Sequence, residues 1–294
     1  MNSNTEMKDF LATRRGRVQP EDVGLPAGRN RRVPGLRREE LAALAGVSAS
    51  WYTRLERGDA TGVSAEVLEA ISRTLQLDEV ERAHLFDLAQ MTQGGIRKQQ
   101  RRRTTAPRVR PVLQQIIDQM TDMPAAVQNE CHDIVAVNSL GRALYADLYE
   151  SGDGKPNFAR YIHLDSRAKE FYPLWDEVAA MSAAMLRVAA ARDPYNRELS
   201  DLIGELATRS EHFRVLWASH DVHEHQTGLK KIHHPVVGDI DLSYEALAFP
   251  GQPGLSLMVY TAERGSASAD ALRLLAAWTA DAASDEQVIR GRAL

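Results

Sequence analysis

A chain of 294 residues whose pattern changes near residue 110 predicts two folds in series. The first is an all-α bundle of short helices, and the second is an α+β domain. Three observations predict this. Apolar residues recur at three- and four-residue spacing through the first 91 residues, punctuated by Gly, Pro and Ser where helices start or stop. Strand-like runs enter only later, most clearly between residues 228 and 262. The charge also divides: residues 1–110 carry 20 Lys/Arg against 14 Asp/Glu, and residues 111–294 carry 16 against 26.

The first helix is expected over about Glu6 to Val18, carrying Phe10, Leu11, Arg14 and Arg15. A polar loop follows from Gln19 to Gly35, where Pro20, Gly24, Pro26, Gly28, Pro34 and Gly35 oppose helix. Leu36 to Gly58 then reads as two short helices joined by a sharp turn. Leu41, Leu44 and Ala45 share one face of the first. Gly46 suits the left-handed conformation that ends a helix. Val47 fills the corner, and Ser48 can cap the second helix. There Tyr52 and Leu55 turn inward, which leaves Ala49, Ser50, Thr53 and Arg54 outward, and Gly58 closes the unit. A fourth helix is expected from Ser64, using Val67, Leu68, Ile71 and Leu75. A fifth spans about Asp78 to Met91, with Leu85, Phe86 and Leu88 inward. The first domain is therefore 1–91. Residues 92–110, with Gly94-Gly95 and a run of arginines, read as a basic linker: a solvated tether, a basic arm on a phosphate backbone, or both.

Two short helices meeting at a sharp turn fit the DNA major groove. A basic half suits a polyanion, whereas an acidic half is repelled by one. The expected partner is a double-stranded DNA operator. Ser48, Ala49 and Ser50 form the tip of the second helix, with Ser50, Thr53 and Arg54 placed for base edges. Arg54 can read guanine with two hydrogen bonds, Thr53 can touch a thymine methyl, and Ala49 offers only a methyl contact. Trp51 is expected along the sugar-phosphate with its indole N–H as donor. Arg31 and Arg32 can grip phosphate or enter the minor groove, or simply solubilise their loop. One such domain offers few base contacts, so a homodimer on a near-palindromic operator is expected.

In the second half, Val112 to Met120 looks helical. Ala125–Gln128 and Asp133–Val137 look like short strands around a turn, and Asn138 can cap a helix containing Leu140, Leu144, Tyr145 and Leu148. A helical block follows over about Ala168 to Ala218. Strands are expected at Gly228–Pro235, Gly238–Phe249 and Leu255–Ala262, then a final helix over Ala269–Ala283. The expectation is an antiparallel sheet with helices against one face, spanning 111–284, with a tail at 285–294. Aromatic and Met side chains at helical spacing, among them Tyr145, Trp175 and Trp217, are core, or else line a largely apolar pocket for a small apolar ligand.

Several classes are set aside. No stretch of 18 uncharged apolar residues predicts a membrane span, and the N-terminus lacks the apolar core of a signal peptide. Cys131 is the one cysteine, which fits a reducing cytoplasm. No nucleophile elbow, phosphate loop or His-Glu-x-x-His occurs, so no enzyme is expected. His220, His223, His225, His233 and His234, with Asp221 and Glu224, could be read as a metal site, but their spacing fits no compact zinc pattern and no metal is assigned.

Three blocks together resemble one family. The five-helix pattern resembles the Cro/repressor-type, lambda-repressor-like helix-turn-helix. The loop from Asp22-Val23-Gly24-Leu25-Pro26 to Glu39-Glu40 narrows it, as does Phe213-Arg214-Val215-Leu216-Trp217-Ala218-Ser219-His220-Asp221-Val222 followed by His234-Pro235-Val236-Val237-Gly238. In this order they resemble the MmyB-like transcriptional regulators of actinobacteria and relatives. The resemblance implies a gene regulator whose C-terminal domain is PAS-like and takes a fatty-acid-like ligand. It places Arg38 against DNA backbone or base, and implies that Glu56 pairs with Arg15 or Arg14. One departure is the pair Trp51-Tyr52, where Tyr-Tyr is common. An acyl ligand needs a cation or donor for its carboxylate. Arg214, His220 and Asn138 are candidates for that role, with Tyr145, Trp175 and Trp217 as lining. No cofactor is expected beyond such a bound fatty acid. The alternatives are a metal-binding or catalytic C-terminal domain tethered to DNA, or one used only for dimerisation or contact with RNA polymerase.

Overall fold

The computed structural model describes residues 3–26, 31, 33, 35–92, 109–150, 155–221, 227–252 and 254–278. The chain divides into two compact units. Unit 1 is Met1–Arg102 with Ala184–Asp201 and Val215–Glu224, and unit 2 is Arg103–Ala183 with Leu202–Arg214 and His225–Leu294. Arg32, most of the expected linker, and the tail at 285–294 lie outside the described residues.

Unit 1 is built on α1 (Ser3–Arg17), α2 (Arg38–Leu44), α3 (Ala49–Glu56), α4 (Ala65–Thr74) and α5 (Glu79–Thr92). The apolar spacing of each helix points into one core that holds Phe10, Leu41, Tyr52, Leu55, Ile71 and Leu85. Val188 and Ala191, nearly a hundred positions further along the chain, belong to the same core. Gly46 takes a φ of 71° between α2 and α3, and Ser48 accepts a hydrogen bond from Trp51 N–H at 3.2 Å. Ser64 caps α4 in the same way through Val67 N–H. Gly58 ends α3 at a φ of 93°, and a Cβ there would sit 2.5 Å from the Asn4 backbone, so the turn after α3 admits only glycine beside α1.

Two expectations for this unit change. Leu44 is 41% exposed rather than inward. It is the last residue of α2 and lines the rim of a crevice with Val23, Ala70, Arg73 and Thr74, where the helix outruns its packing partner. Ala49 is half-buried against the core, because the first turn of α3 still lies over the bundle.

Unit 2 contains a five-stranded antiparallel sheet in the order β2-β1-β5-β4-β3. Its strands are β1 (Ala125–Asn129), β2 (Ile134–Val137), β3 (Thr227–His234), β4 (Gly238–Ala248) and β5 (Leu255–Thr261). Strand β2 starts at Ile134 because Asp133 is taken into the preceding turn, where its N–H donates to the Asn129 side chain at 2.9 Å. The sheet is covered on both faces, not one. Helix α6 (Pro111–Asp118) packs Leu113 and Ile117 on Val127, Ala136 and Leu257. On the other face lie side chains from α7 (Ser139–Leu144), α8 (Ala146–Glu150), α9 (Phe158–Leu164) and α10 (Arg167–Phe171) and the turns that end them. The cause is visible in β5, where Leu257 and Met258 are consecutive, oppositely directed and both buried. The remaining helices are α11 (Trp175–Arg192), α12 (Arg197–Arg209), α13 (Glu211–Ala218) and residues 267–278. The first three contribute residues to both units.

Candidate functional site

The turn between α2 and α3 presents a small polar tip. Ser48, Ser50 and Arg54 are exposed, and the Ser48 and Ser50 hydroxyls lie 3.1 Å apart. Thr53 is half-buried, and its hydroxyl donates to Ala49 C=O at 2.7 Å. Trp51 is half-buried against the bundle core, which fixes the indole beside the tip rather than on it. Arg54 lies 3.5 Å from Asp59, with both side chains about half exposed, a contact weak enough to exchange for a base or a phosphate.

Beneath this tip sits a buried carboxylate. Glu56 is 1% exposed and accepts from Arg15 Nη2 at 2.9 Å and Nε at 3.2 Å. It also accepts from Arg38 at 3.1 and 3.2 Å. Arg15 further donates to Leu36 C=O at 2.7 Å. One carboxylate thus ties α1, the entry to α2, and α3. Burial pushes the Glu56 pKa up, and the hydrogen bonds from Arg15 and Arg38 outweigh it, so the group is held below the ordinary carboxylate range. The expected Glu56–Arg15 pair is therefore present, with Arg38 as a second partner that remains half exposed on the outer surface.

Arg31 is differently placed. It donates to both oxygens of Glu40, at 2.9 and 2.5 Å, and to Gly35 C=O at 2.9 Å. Glu40 in turn accepts from the Arg37 N–H at the start of α2. Arg31 therefore organises the loop into α2, a role with no local sequence signal, because its partner lies nine residues on.

Of the six ligand candidates, Asn138, Tyr145, Trp175 and Arg214 fall in unit 2, and Trp217 and His220 in unit 1. Asn138 is 2% exposed and uses every polar position: its Oδ1 accepts from Ala125 and Gly141 N–H, and its Nδ2 donates to Met120 and Met123 C=O. It caps α7, as expected, and holds the β1 entry. Trp175 stacks on His212 at 4.4 Å and donates to Ile162 C=O. Arg214 is exposed on α13. Trp217 and His220 belong to unit 1. There Arg187, 1% exposed, lies 4.1 Å over the Trp217 ring, donates to Trp217 C=O, pairs with Glu6 and sits 3.1 Å from His220 Nδ1. Tyr145 alone lies in an inward aromatic cluster, 5.8 Å from Tyr260 and 4.9 Å from Phe158.

Sequence reasoning missed Lys230, which shares that inward face of the sheet. The signal was parity: Ile232 and His234 on the same strand are buried, and Lys230 has their phase. Among the described residues no group of three His, Cys, Asp or Glu is placed to hold a metal ion, and His223 and His225 lie outside those residues.

Two family models match the chain. One, described as the MmyB-like transcription regulator ligand binding domain, covers residues 109–275. The other, a helix-turn-helix domain, covers residues 7–85. No curated protein matches the chain.

Proposed function

From the premise that this chain belongs to the MmyB-like transcription regulators, we propose that it works in the cytoplasm as a sequence-specific regulator. In this reading α3 reads an operator, and unit 2 takes a small apolar, fatty-acid-like ligand. The observation that carries the DNA part is the α3 tip, with Ser50 and Arg54 exposed on a helix anchored from below by Glu56. A helix N-terminus directs backbone N–H groups at phosphate while its first side chains reach base edges. Ser48, Ala49, Trp51, Thr53 and Arg38 complete the proposed surface. Support for the ligand part is the match of residues 109–275 to a ligand-binding family, together with the inward aromatic cluster around Tyr145.

Arg54→Ala is expected to relax preference at one base position, costing about 1–3 kcal/mol there and little elsewhere. Binding titrations across single-base operator variants read this directly. An unchanged profile removes Arg54 from base recognition.

A two-fold operator needs two heads about one helical turn apart. Sedimentation of the full chain with selected operator DNA is expected to show two chains per duplex. One chain per duplex argues against the homodimer.

A further inference from the structure

The inward face of the unit 2 sheet carries a half-buried cation, Lys230. The Lys230 Nζ lies 5.4 Å from the ring centre of Tyr244 on β4 and 5.8 Å from those of Tyr260 on β5 and Tyr172 at the end of α10. Among the described residues no carboxylate pairs with it. Gly228, opposite Tyr244 on the neighbouring strand, leaves room for that ring: a Cβ there would meet the Tyr244 hydroxyl at 2.6 Å. A buried hydroxyl adjoins the cage. Tyr145 is 1% exposed, and its hydroxyl is grouped with those of Tyr172 and Tyr260. Ring faces lower the cost of holding an ammonium but do not replace an anion.

We propose that Lys230 is the anchor for the anionic head of the ligand, a single carboxylate on an apolar body, with the Tyr145 hydroxyl as second donor. This rests on the ligand-binding reading given above. One cation and one neutral donor match a monoanion, and the aromatic walls match an apolar body. The assignment moves the head-group role from Arg214, His220 and Asn138 to a residue on β3.

The surroundings make Lys230 the titrating group of this cluster near neutrality. Desolvation pushes its pKa down to about 8. The adjoining His132 is pushed down to about 4 by burial, and burial raises Tyr145, Tyr172, Tyr244 and Tyr260. A carboxylate therefore binds the protonated lysine best at neutral pH, and binding weakens as pH rises past about 8.

The test is calorimetric titration of the full chain with dodecanoate and with dodecanol, below micellar concentration. Wild type is expected to bind dodecanoate at least tenfold tighter than dodecanol. Lys230→Met is expected to erase that preference, keep the alcohol affinity, and raise the melting temperature of the ligand-free chain, because a desolvated charge is removed. Lys230→Arg should keep the preference and lose its pH dependence, and Tyr145→Phe should weaken dodecanoate binding severalfold. Equal dodecanoate affinity in wild type and Lys230→Met overturns the anchor while leaving ligand binding intact. Failure of both probes to bind wild type overturns the anchor and the fatty-acid-like reading together.

Discussion

Arg187→Met is expected to destabilise unit 1 by about 3 kcal/mol, the cost of taking the main cationic partner from a buried carboxylate. Arg187 is 1% exposed and Glu6 is 6% exposed, so the substitution removes the buried guanidinium and leaves the Glu6 carboxylate with only the His220 ring, 3.3 Å away. The guanidinium also satisfies the Trp217 C=O and covers the Trp217 ring, contacts that methionine keeps only in part. Removing both charges should cost much less, since an apolar pair of similar volume needs no solvation. Urea titration of the full chain, followed by circular dichroism, distinguishes the cases. A large loss in Arg187→Met with substantial recovery in Glu6→Met/Arg187→Met is the expected result. Equal losses in both would mean that packing, not charge, sets the cost. The same contacts predict that residues 1–102 alone are less stable than the full chain, because Val188, Ala191 and Arg187 are then missing from the core.

Glu56→Ala is the second large effect, at about 3 kcal/mol. Arg15, 13% exposed, loses its carboxylate, while Arg38, 48% exposed, is rescued by water. The pH dependence follows from the direction of the shift. Glu56 has a folded pKa below its unfolded value, so its contribution is complete above about pH 4.3 and is lost as pH falls through the folded pKa. Wild type should therefore lose more stability on acidification than Glu56→Gln. The carboxylate also ties α3 to α1 and α2, so operator affinity should fall in Glu56→Ala even where the protein remains folded. Parallel acid titration curves for wild type and Glu56→Gln would remove the ion pair from this account.

The helices of unit 1 were legible because their signals are local. Ser48 and Ser64 cap where the sequence places caps, Gly46 takes the left-handed turn assigned to it, and Gly58 closes α3 as expected. All five strands of unit 2 fall within two residues of the expected ends, since alternation and the turns at Gly238 and Gly254 bracket them. The failures were long-range. That Val188, Ala191, Trp217 and His220 share a compact unit with α1 could not be read from residues some two hundred positions apart. The sheet was expected to be covered on one face, while β1 and β5 are buried on both sides. In the candidate site, exposure of Ser50 and Arg54 followed from helical phase, whereas the bidentate hold of Glu40 on Arg31 did not. Aromatic spacing pointed to Tyr145 but not to the lysine beside it, because a lysine in a strand is ordinarily a solvated one.

The most direct test of the central claim is selection of the full chain on random duplexes at two salt concentrations, with Arg54→Ala run in parallel. The account predicts a near-palindromic site for wild type, affinity that falls steeply with added salt, and loss of preference at one base position per half-site in the variant. A folded chain that enriches no duplex, or a variant that selects the same site with the same preference, would contradict it.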